Sequence, residues 1–194
     1  LGLDTHVLIN DFGAMAHAVH ALGPEHFAHL CGPPRPLPDR GAISVIGPGT
    51  GLGVAVLQRH AHGPLVLETE GSHIHYAPLD ADEARVSAAI AARHGRTSVE
   101  RVVSGPGLGE IVRAFAPGDS RDDATLWAAA ESGEADIAPA LDLFMACFGA
   151  AVGDDDIEFI IGGNVAADRN LAGDGPQIIL DGAGWRSCGA AGWT

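Results

Sequence analysis

Basic residues are scarce in this chain, and cysteines scarcer. Lysine and arginine together number 11 against 25 aspartates and glutamates, a formal net charge of −14. Phosphate backbones and anionic membrane surfaces are held by clustered cations, so neither nucleic acid nor a membrane is an expected partner. The three cysteines, Cys31, Cys147 and Cys188, lie far apart and form no CxxC pair. That argues against a disulfide framework or a zinc ribbon and makes a reducing, cytoplasmic compartment the default. No apolar run reaches the ~18 residues of a membrane-crossing helix. No secretory leader is recognisable, because Asp4, His6, Asn10 and Asp11 interrupt the first apolar residues and no basic segment precedes them. Leu1 to Ile9 reads as a strand already under way, so the expectation is a chain that begins inside a larger fold.

What is present is core material. Apolar residues make up 46% of the 194 positions and charged ones 19%, which suits one domain, or one and a piece, and not disorder. Val7-Leu8-Ile9 predicts a short strand ending at Asn10-Asp11, either of which can N-cap a helix over Phe12 to Leu22 that Gly23 stops. The prolines between Cys31 and Gly41 predict a surface loop. Leu65 to Thr69 predicts a strand that runs out into Glu70-Gly71-Ser72-His73. Asp80 to His94 predicts a helix, with acids early, Arg93 and His94 late and Gly95 beyond. Thr97-Ser98-Val99-Glu100 opens a short helix that Ser104-Gly105-Pro106-Gly107 stops, and helical segments follow at Gly109 to Phe115 and Asp122 to Glu131. From Ile137 to Val152 the apolar residues Ile137, Leu141, Phe144, Met145, Phe148 and Val152 share one helical face, which reads as core. Ile157 to Ile161 and Gln177 to Leu180 read as strands. Alternating strands and helices behind a hairpin give an α/β class with a mixed sheet.

The chain is organised around Ser44-Val45-Ile46-Gly47-Pro48-Gly49-Thr50-Gly51-Leu52-Gly53-Val54. Its alternating glycines lie between β-branched, apolar flanks, the pattern of strand, tight turn, strand. The stretch has no lysine, so it is no Walker A loop, and it runs into a strand rather than a helix, so it is no Rossmann fingerprint. Glycine reaches positive φ at little cost, and a turn built that way can aim several N–H groups, with the Thr50 hydroxyl, at a phosphate. The competing reading is a structural hairpin that binds nothing.

In sheets of this class ligands sit beyond the carboxyl ends of strands. Asn10-Asp11, Glu70 to His73 and Gly162-Gly163 all follow strands, and together make one candidate site. Asp11 is either a carboxylate placed to take a proton from a hydroxyl or a helix cap worth about 1 kcal/mol. Glu70 and His73 can bracket adjacent sugar hydroxyls. Alternatively His73 and His75, with Glu70, have the spacing of a metal site, although ten histidines make chance pairs common. Glu100 fits a capping box, Thr97-x-x-Glu100, in which it bonds back to the cap N–H.

Four segments occur in order: Leu8-Ile9-Asn10-Asp11-Phe12, Gly47 to Gly53, Glu70-Gly71-Ser72-His73-Ile74-His75-Tyr76-Ala77-Pro78, and Ser98-Val99-Glu100-Arg101-Val102-Val103-Ser104-Gly105-Pro106-Gly107-Leu108. Together they resemble the bacterial ATP-dependent glucokinase family. The likeness is dense from about Leu8 to Ile111 and returns at Phe148-Gly149-Ala150 and Ile161-Gly162-Gly163. It implies an actin-like, ribonuclease H-like α/β fold from an incomplete two-domain sugar kinase. Residues 1–40 would end the small domain and carry the catalytic-loop helix, and 41–194 would be the larger domain, shortened after about 153. It implies phosphorylation of D-glucose by ATP and Mg²⁺ as the step that feeds glycolysis, and allows a homodimer. Asp11 then falls on the catalytic base, and Asn10, Glu70, His73 and Glu100 on the glucose ligands. Gly47, Gly49, Thr50, Gly51 and Gly53 fall on the second phosphate loop, and Gly162 and Gly163 on the adenosine side; no resident metal is implied.

The departures are specific. The family's Asp-x-Gly-Gly-Thr loop is not in this chain, so ATP would be held from one side and turnover by the chain alone would be weak or nil. Ser72 replaces a glycine and His75 an aspartate, Gly153-Asp154-Asp155-Asp156-Ile157 reads as a helix cut short, and the tail from Asn164 to Thr194 is short and unfamiliar. Two other readings stand beside the kinase: a non-catalytic sugar-binding remnant, and a metal-dependent enzyme using the His-x-His pair.

Overall fold

A computed structural model describes residues 8–31, 36–153, 158–161 and 177–181. The helices are α1 (Asp11–Ala21), α2 (Ala81–His94), α3 (Val99–Val102), α4 (Gly105–Phe115), α5 (Asp123–Glu131) and α6 (Ala138–Val152). The strands are β1 (Phe27–Cys31), β2 (Gly41–Pro48), β3 (Leu52–His60), β4 (Gly63–Thr69), β5 (Glu158–Ile161) and β6 (Gln177–Asp181). They form one six-stranded mixed sheet in the order β1-β6-β5-β2-β3-β4. β2, β3 and β4 make an antiparallel meander, and β5 lies parallel to β2 on its other side. The α/β class and the mixed sheet are as the sequence predicts.

The two faces of the sheet follow from its alternation. Ile43 and Val45 of β2 stand opposite Leu57 and Ala55 of β3, and all four are buried under Ala16 and Val19 of α1. Ile46 and Leu52 belong instead to the larger cluster formed with the other helices, whose centre includes Ile90, Leu108, Ile111 and Phe144. The Trp127 ring meets Phe144 edge-on at 5.2 Å, a favoured aromatic arrangement, and its indole N–H donates to Gly105 O at 2.7 Å. Glu110 ties α4 to α2 through Arg93 at 2.7 Å and His94 at 3.4 Å.

Most helix ends carry their signals. Asp80 caps α2 by accepting the Glu83 N–H at 2.8 Å, and Gly95 closes it in the left-handed conformation at φ 82°. α4 begins four residues earlier than the spacing predicts, at Gly105, with Pro106 in its first turn. A Cβ at Gly107 would overlap Val102 O, so the short α3 can turn directly into α4 only over a glycine there. Ile137, at the N-cap of α6, and Phe144, Phe148 and Val152 on it, all of the predicted stripe, are buried, with Cys147 beside them, while Leu141 and Met145 are half-buried.

Two expectations are corrected. Leu8 and Ile9 belong to no strand and are 93% and 51% exposed; an apolar run makes a strand only where a neighbour takes its N–H and C=O groups. Val7 and the residues before it lie outside the described ones. β1 is a strand the sequence does not announce: Phe27-Ala28-His29-Leu30-Cys31 has no β-branched residue, and it is set by parallel pairing with β6.

A polar cluster sits inside the larger core. The Tyr76 hydroxyl donates to Glu83 Oε2 at 2.7 Å, which also accepts the Leu79 N–H at 2.7 Å. The hydroxyl's one proton is thereby used, so the Cys147 thiol, 3.1 Å away, is left to donate to the hydroxyl oxygen. Burial, and the nearby Glu83 carboxylate, push the Cys147 thiol up to about 11 from its ordinary 9.0; burial likewise raises Tyr76. Between pH 9 and 11 the unfolded chain releases the thiol proton while the folded one retains it, so stability is full below pH 9 and falls as pH rises through that window. The urea midpoint should therefore drop between pH 8.5 and 10.5, and drop less in Cys147→Ala.

Candidate active site

The glycine turn is a hairpin, as predicted, with Gly47 opposite Gly53, Pro48 opposite Leu52, and Gly49-Thr50-Gly51 at its tip. Its glycines are required for a different reason from the one the sequence suggests. Positive φ occurs at Gly41, Gly63, Gly95, Gly133 and Gly153, and at none of the turn glycines. Close approach decides instead. A Cβ at Gly53 would overlap the Phe12 ring, and one at Gly51 would lie 2.5 Å from Glu100 Oε2. Gly49 has open space at its Cβ position; its N–H donates to Gly51 O at 2.7 Å and its carbonyl accepts the Gly105 N–H at 2.6 Å. The Gly47-Pro48-Gly49 and Gly105-Pro106-Gly107 segments, similar in sequence, thus meet in space. Among the described residues, the Thr50 and Gly51 N–H groups and the Thr50 hydroxyl have no partner, and these donors remain for an anion.

Glu70 and His73 are brought together by a 3₁₀ turn, Gly71–His73, at the end of β4. Thr69 Oγ1 donates to Val54 O at 3.0 Å and accepts the Gly71 N–H at 3.3 Å, which fixes where the loop starts. Beyond it, Tyr76 N–H donates to Thr97 O and Val99 N–H to Ile74 O, both at 3.1 Å, around the bridge between His75 and Ser98. That short pairing carries Glu100 to the loop. His73 Nε2 lies 3.3 Å from Glu70 Oε2, and its Nδ1 lies 3.7 Å from Glu100 Oε1. The Glu70 and His73 side chains are open to solvent, and the Glu100 side chain is 28% exposed.

Glu100 makes no capping box. Ser98 caps α3, accepting the Arg101 N–H at 3.4 Å, while the Thr97 hydroxyl donates to Ser87 O at 2.7 Å. Glu100 reaches across instead: its Oε2 accepts the Leu52 N–H at 3.1 Å, at the edge of the glycine turn. One carboxylate therefore touches both the His73 loop and the turn.

Asn10, not Asp11, caps α1, its Oδ1 accepting the N–H groups of Phe12 at 2.9 Å and Gly13 at 3.2 Å. Asp11 shares the Phe12 N–H at 2.9 Å and is otherwise exposed. The helix start is held to the same end of the meander by the Phe12 ring over Gly53 and by the Asn10 N–H, which donates to Glu68 Oε1 at 3.1 Å. Sequence reading passes over Glu68; the signal it lacked is spatial, since only the strand register puts that acid beside α1. Gly162 and Gly163 lie outside the described residues. The metal alternative finds no support: among the described residues no group of three His, Cys, Asp or Glu side chains could hold an ion.

The described arrangement offers carboxylates, an imidazole and backbone donors, suited to a polyhydroxy ligand beside an anion. Comparison with known proteins gives the family. The family model "Glucokinase" matches residues 1–166. A glucokinase of Zymomonas mobilis is 49% identical over 160 residues, covering 79% of this chain and 49% of that protein. The crystal structure of a glucokinase from an Antarctic psychrotroph superposes with a TM-score of 0.67 at 26% identity, over 94% of this chain and 66% of that one. A Balamuthia mandrillaris glucokinase, solved in complex with glucose, shares the fold at 19% identity and a TM-score of 0.55, over 76% of this chain and 51% of that one. The fold is that of part of a sugar kinase. The chain belongs to the glucokinase family, and spans about half the length of the curated relatives it matches.

The close approach at Gly53 can be tested directly. Gly53→Ala must displace the Phe12 ring and should lower stability by about 1–3 kcal/mol in urea unfolding. Gly49→Ala, with open space at its Cβ, should stay within about 0.5 kcal/mol.

Proposed function

We propose that this chain carries the glucose-binding side of a kinase that transfers a phosphoryl group from ATP to the 6-hydroxyl of D-glucose. The observation that carries the reading is the row Glu70–His73–Glu100, joined through the Leu52 N–H to the glycine turn. Ionised carboxylates accept from sugar hydroxyls, and a site built on such bonds rejects analogues that lack the hydroxyl. Glu70, His73 and Glu100 bind the sugar, and Asn10 adds its side-chain N–H₂, since its oxygen is committed to the cap. Asp11, exposed at the start of α1, accepts the proton that leaves O6 as the new O–P bond forms.

The unpartnered N–H groups of Thr50 and Gly51, with the Thr50 hydroxyl, fit a phosphate of the nucleotide, and Gly47, Gly49 and Gly53 shape the turn that presents them. Mg²⁺, bound with ATP, supplies neutralisation of phosphate charge, which transfer of this kind needs along with positioning. Gly162 and Gly163 are assigned to the adenosine side on family resemblance alone. On the same reading, residues 1–40 are the end of a small domain with the catalytic-loop helix, and 41–194 the larger domain. The protein works in the cytoplasm at the first step of glycolysis, and a homodimer is compatible with it.

Calorimetric titration with D-glucose, without nucleotide, tests the site. Saturable binding is expected, weakened at least about tenfold by Glu70→Gln, the range of a hydrogen bond to a charged group. Gly51→Ala should weaken glucose too, because its methyl would press on Glu100. Heat that never appears from folded protein overturns the reading. Asp11→Asn should leave glucose binding within about threefold, because the base acts on the departing O6 proton and not on sugar affinity, and should remove whatever slow ADP release the wild-type chain shows with MgATP and glucose.

A further inference from the structure

The start of α1 is capped in an unusual way. Asn10 is extended, φ −62° and ψ 148°, and its side chain satisfies the N–H groups of Phe12 and Gly13. In a capping box the return bond, to the N–H of the cap residue itself, comes from a Glu or Gln three positions on. Here that position is Gly13, which has no side chain to offer. The bond comes from another element: Glu68, on β4, accepts the Asn10 N–H at 3.1 Å. Its carboxylate lies where an N3 side chain would be, because a Cβ added at Gly13 would overlap it. The register makes this possible. Glu68 stands opposite Ala55, on the face of the sheet that α1 covers, so its side chain rises toward the helix.

We propose that Glu68 is a positioning residue for Asp11: it closes a capping box in trans and so fixes the Asn10-Asp11 pair against the edge of the sheet. The inference rests on the glucose reading above. Asp11 is the next residue after the tethered N–H, and the only hydrogen bond its carboxylate makes among the described residues is to Phe12 N. Little else holds its carboxylate in place. The tether is exposed to solvent, so water replaces the lost acceptor in a variant and the chain remains folded.

The test uses the isotope-labelled full chain in wild-type, Glu68→Ala, Glu68→Gln and Gly13→Ala forms. Two quantities are read: the Asn10 amide and Asp11 carboxyl resonances, and the calorimetric affinity for D-glucose. In Glu68→Ala the Asn10 amide proton should move upfield, the Asp11 signal should shift, and glucose should bind about fivefold more weakly, the size of a lost cap. Glu68→Gln keeps an acceptor oxygen and should recover both readouts to within about twofold. Gly13→Ala keeps the carboxylate but fills its seat with a methyl, and should behave like Glu68→Ala.

An Asn10 amide that does not respond to Glu68→Ala overturns the tether. A tether that breaks with Asp11 and glucose affinity unmoved overturns the positioning role, and so does a Glu68→Gln as weak as Glu68→Ala. If wild-type chain binds no glucose, the functional reading falls separately. The Asn10 and Asp11 resonances then still decide: movement in Glu68→Ala with recovery in Glu68→Gln supports the tether, and no movement overturns it.

Discussion

The Glu100 carboxylate accepts the Leu52 N–H with one oxygen and faces the His73 ring with the other. Two segments far apart in sequence, the glycine turn and the loop after β4, are held in register by this one side chain. Its position is set by backbone pairing, since the strand-like contact of residues 74–76 with 97–99 delivers α3 to the loop. A carboxylate placed by backbone hydrogen bonds has little freedom to move away, so its geometry exists before any ligand arrives. That is the preorganisation phosphoryl transfer asks of a protein, which supplies placement more than covalent chemistry.

The same contact explains the glycine at position 51. Sequence reasoning explained the turn's glycines by their freedom at positive φ, and none of them uses it. Each close approach is instead a packing demand from another element: Phe12 of α1 on Gly53, Glu100 of α3 on Gly51. Side-chain space at the turn is therefore occupied by Glu100 and Phe12, which the proposed reading places in the sugar site and on the catalytic helix. A turn of this kind cannot shift without moving the residues packed on it, which links the glycine turn, α1 and α3 mechanically.

Features confined to one segment were legible in the sequence. Asp80 and Gly95 bound α2 where their chemistry says they should, the glycines mark the hairpin, and the apolar stripe of Ile137, Phe144, Phe148 and Val152 is buried. Features that depend on which of two adjacent, chemically equivalent residues wins were not. Thr97 and Ser98 both offer a hydroxyl, and Asn10 and Asp11 both offer an oxygen. Burial under α2 claims Thr97, and the extended backbone at Asn10 makes that residue the cap. The Thr97-x-x-Glu100 box gave Glu100 a local duty it does not have, because Ser98 is the cap, while the choice between Asn10 and Asp11, left open by the sequence, falls to Asn10 and leaves Asp11 free of the main capping role. β1 and Glu68 were illegible for a further reason, since a strand's pairing partner and a residue's cross-sheet neighbour are properties of the register, not of any window of sequence.

Charge at this end of the sheet points the same way. Asp11, Glu68, Glu70 and Glu100 gather there, and among the described residues no arginine pairs with any of them; His73 is the one basic side chain in contact. The chain contains no lysine at all. Neutral sugar hydroxyls are well served by such a surface, because carboxylates accept from them without a charge to repel. A polyphosphate is not, because a chain of net charge −14 opposes its approach through the whole field of the molecule. Backbone N–H groups at Thr50 and Gly51 carry no net charge and offset only part of that repulsion. On the proposed reading the balance comes from a divalent cation travelling with the nucleotide and from donors outside this row of acids, and a site that takes the neutral sugar can then be built almost wholly from acceptors.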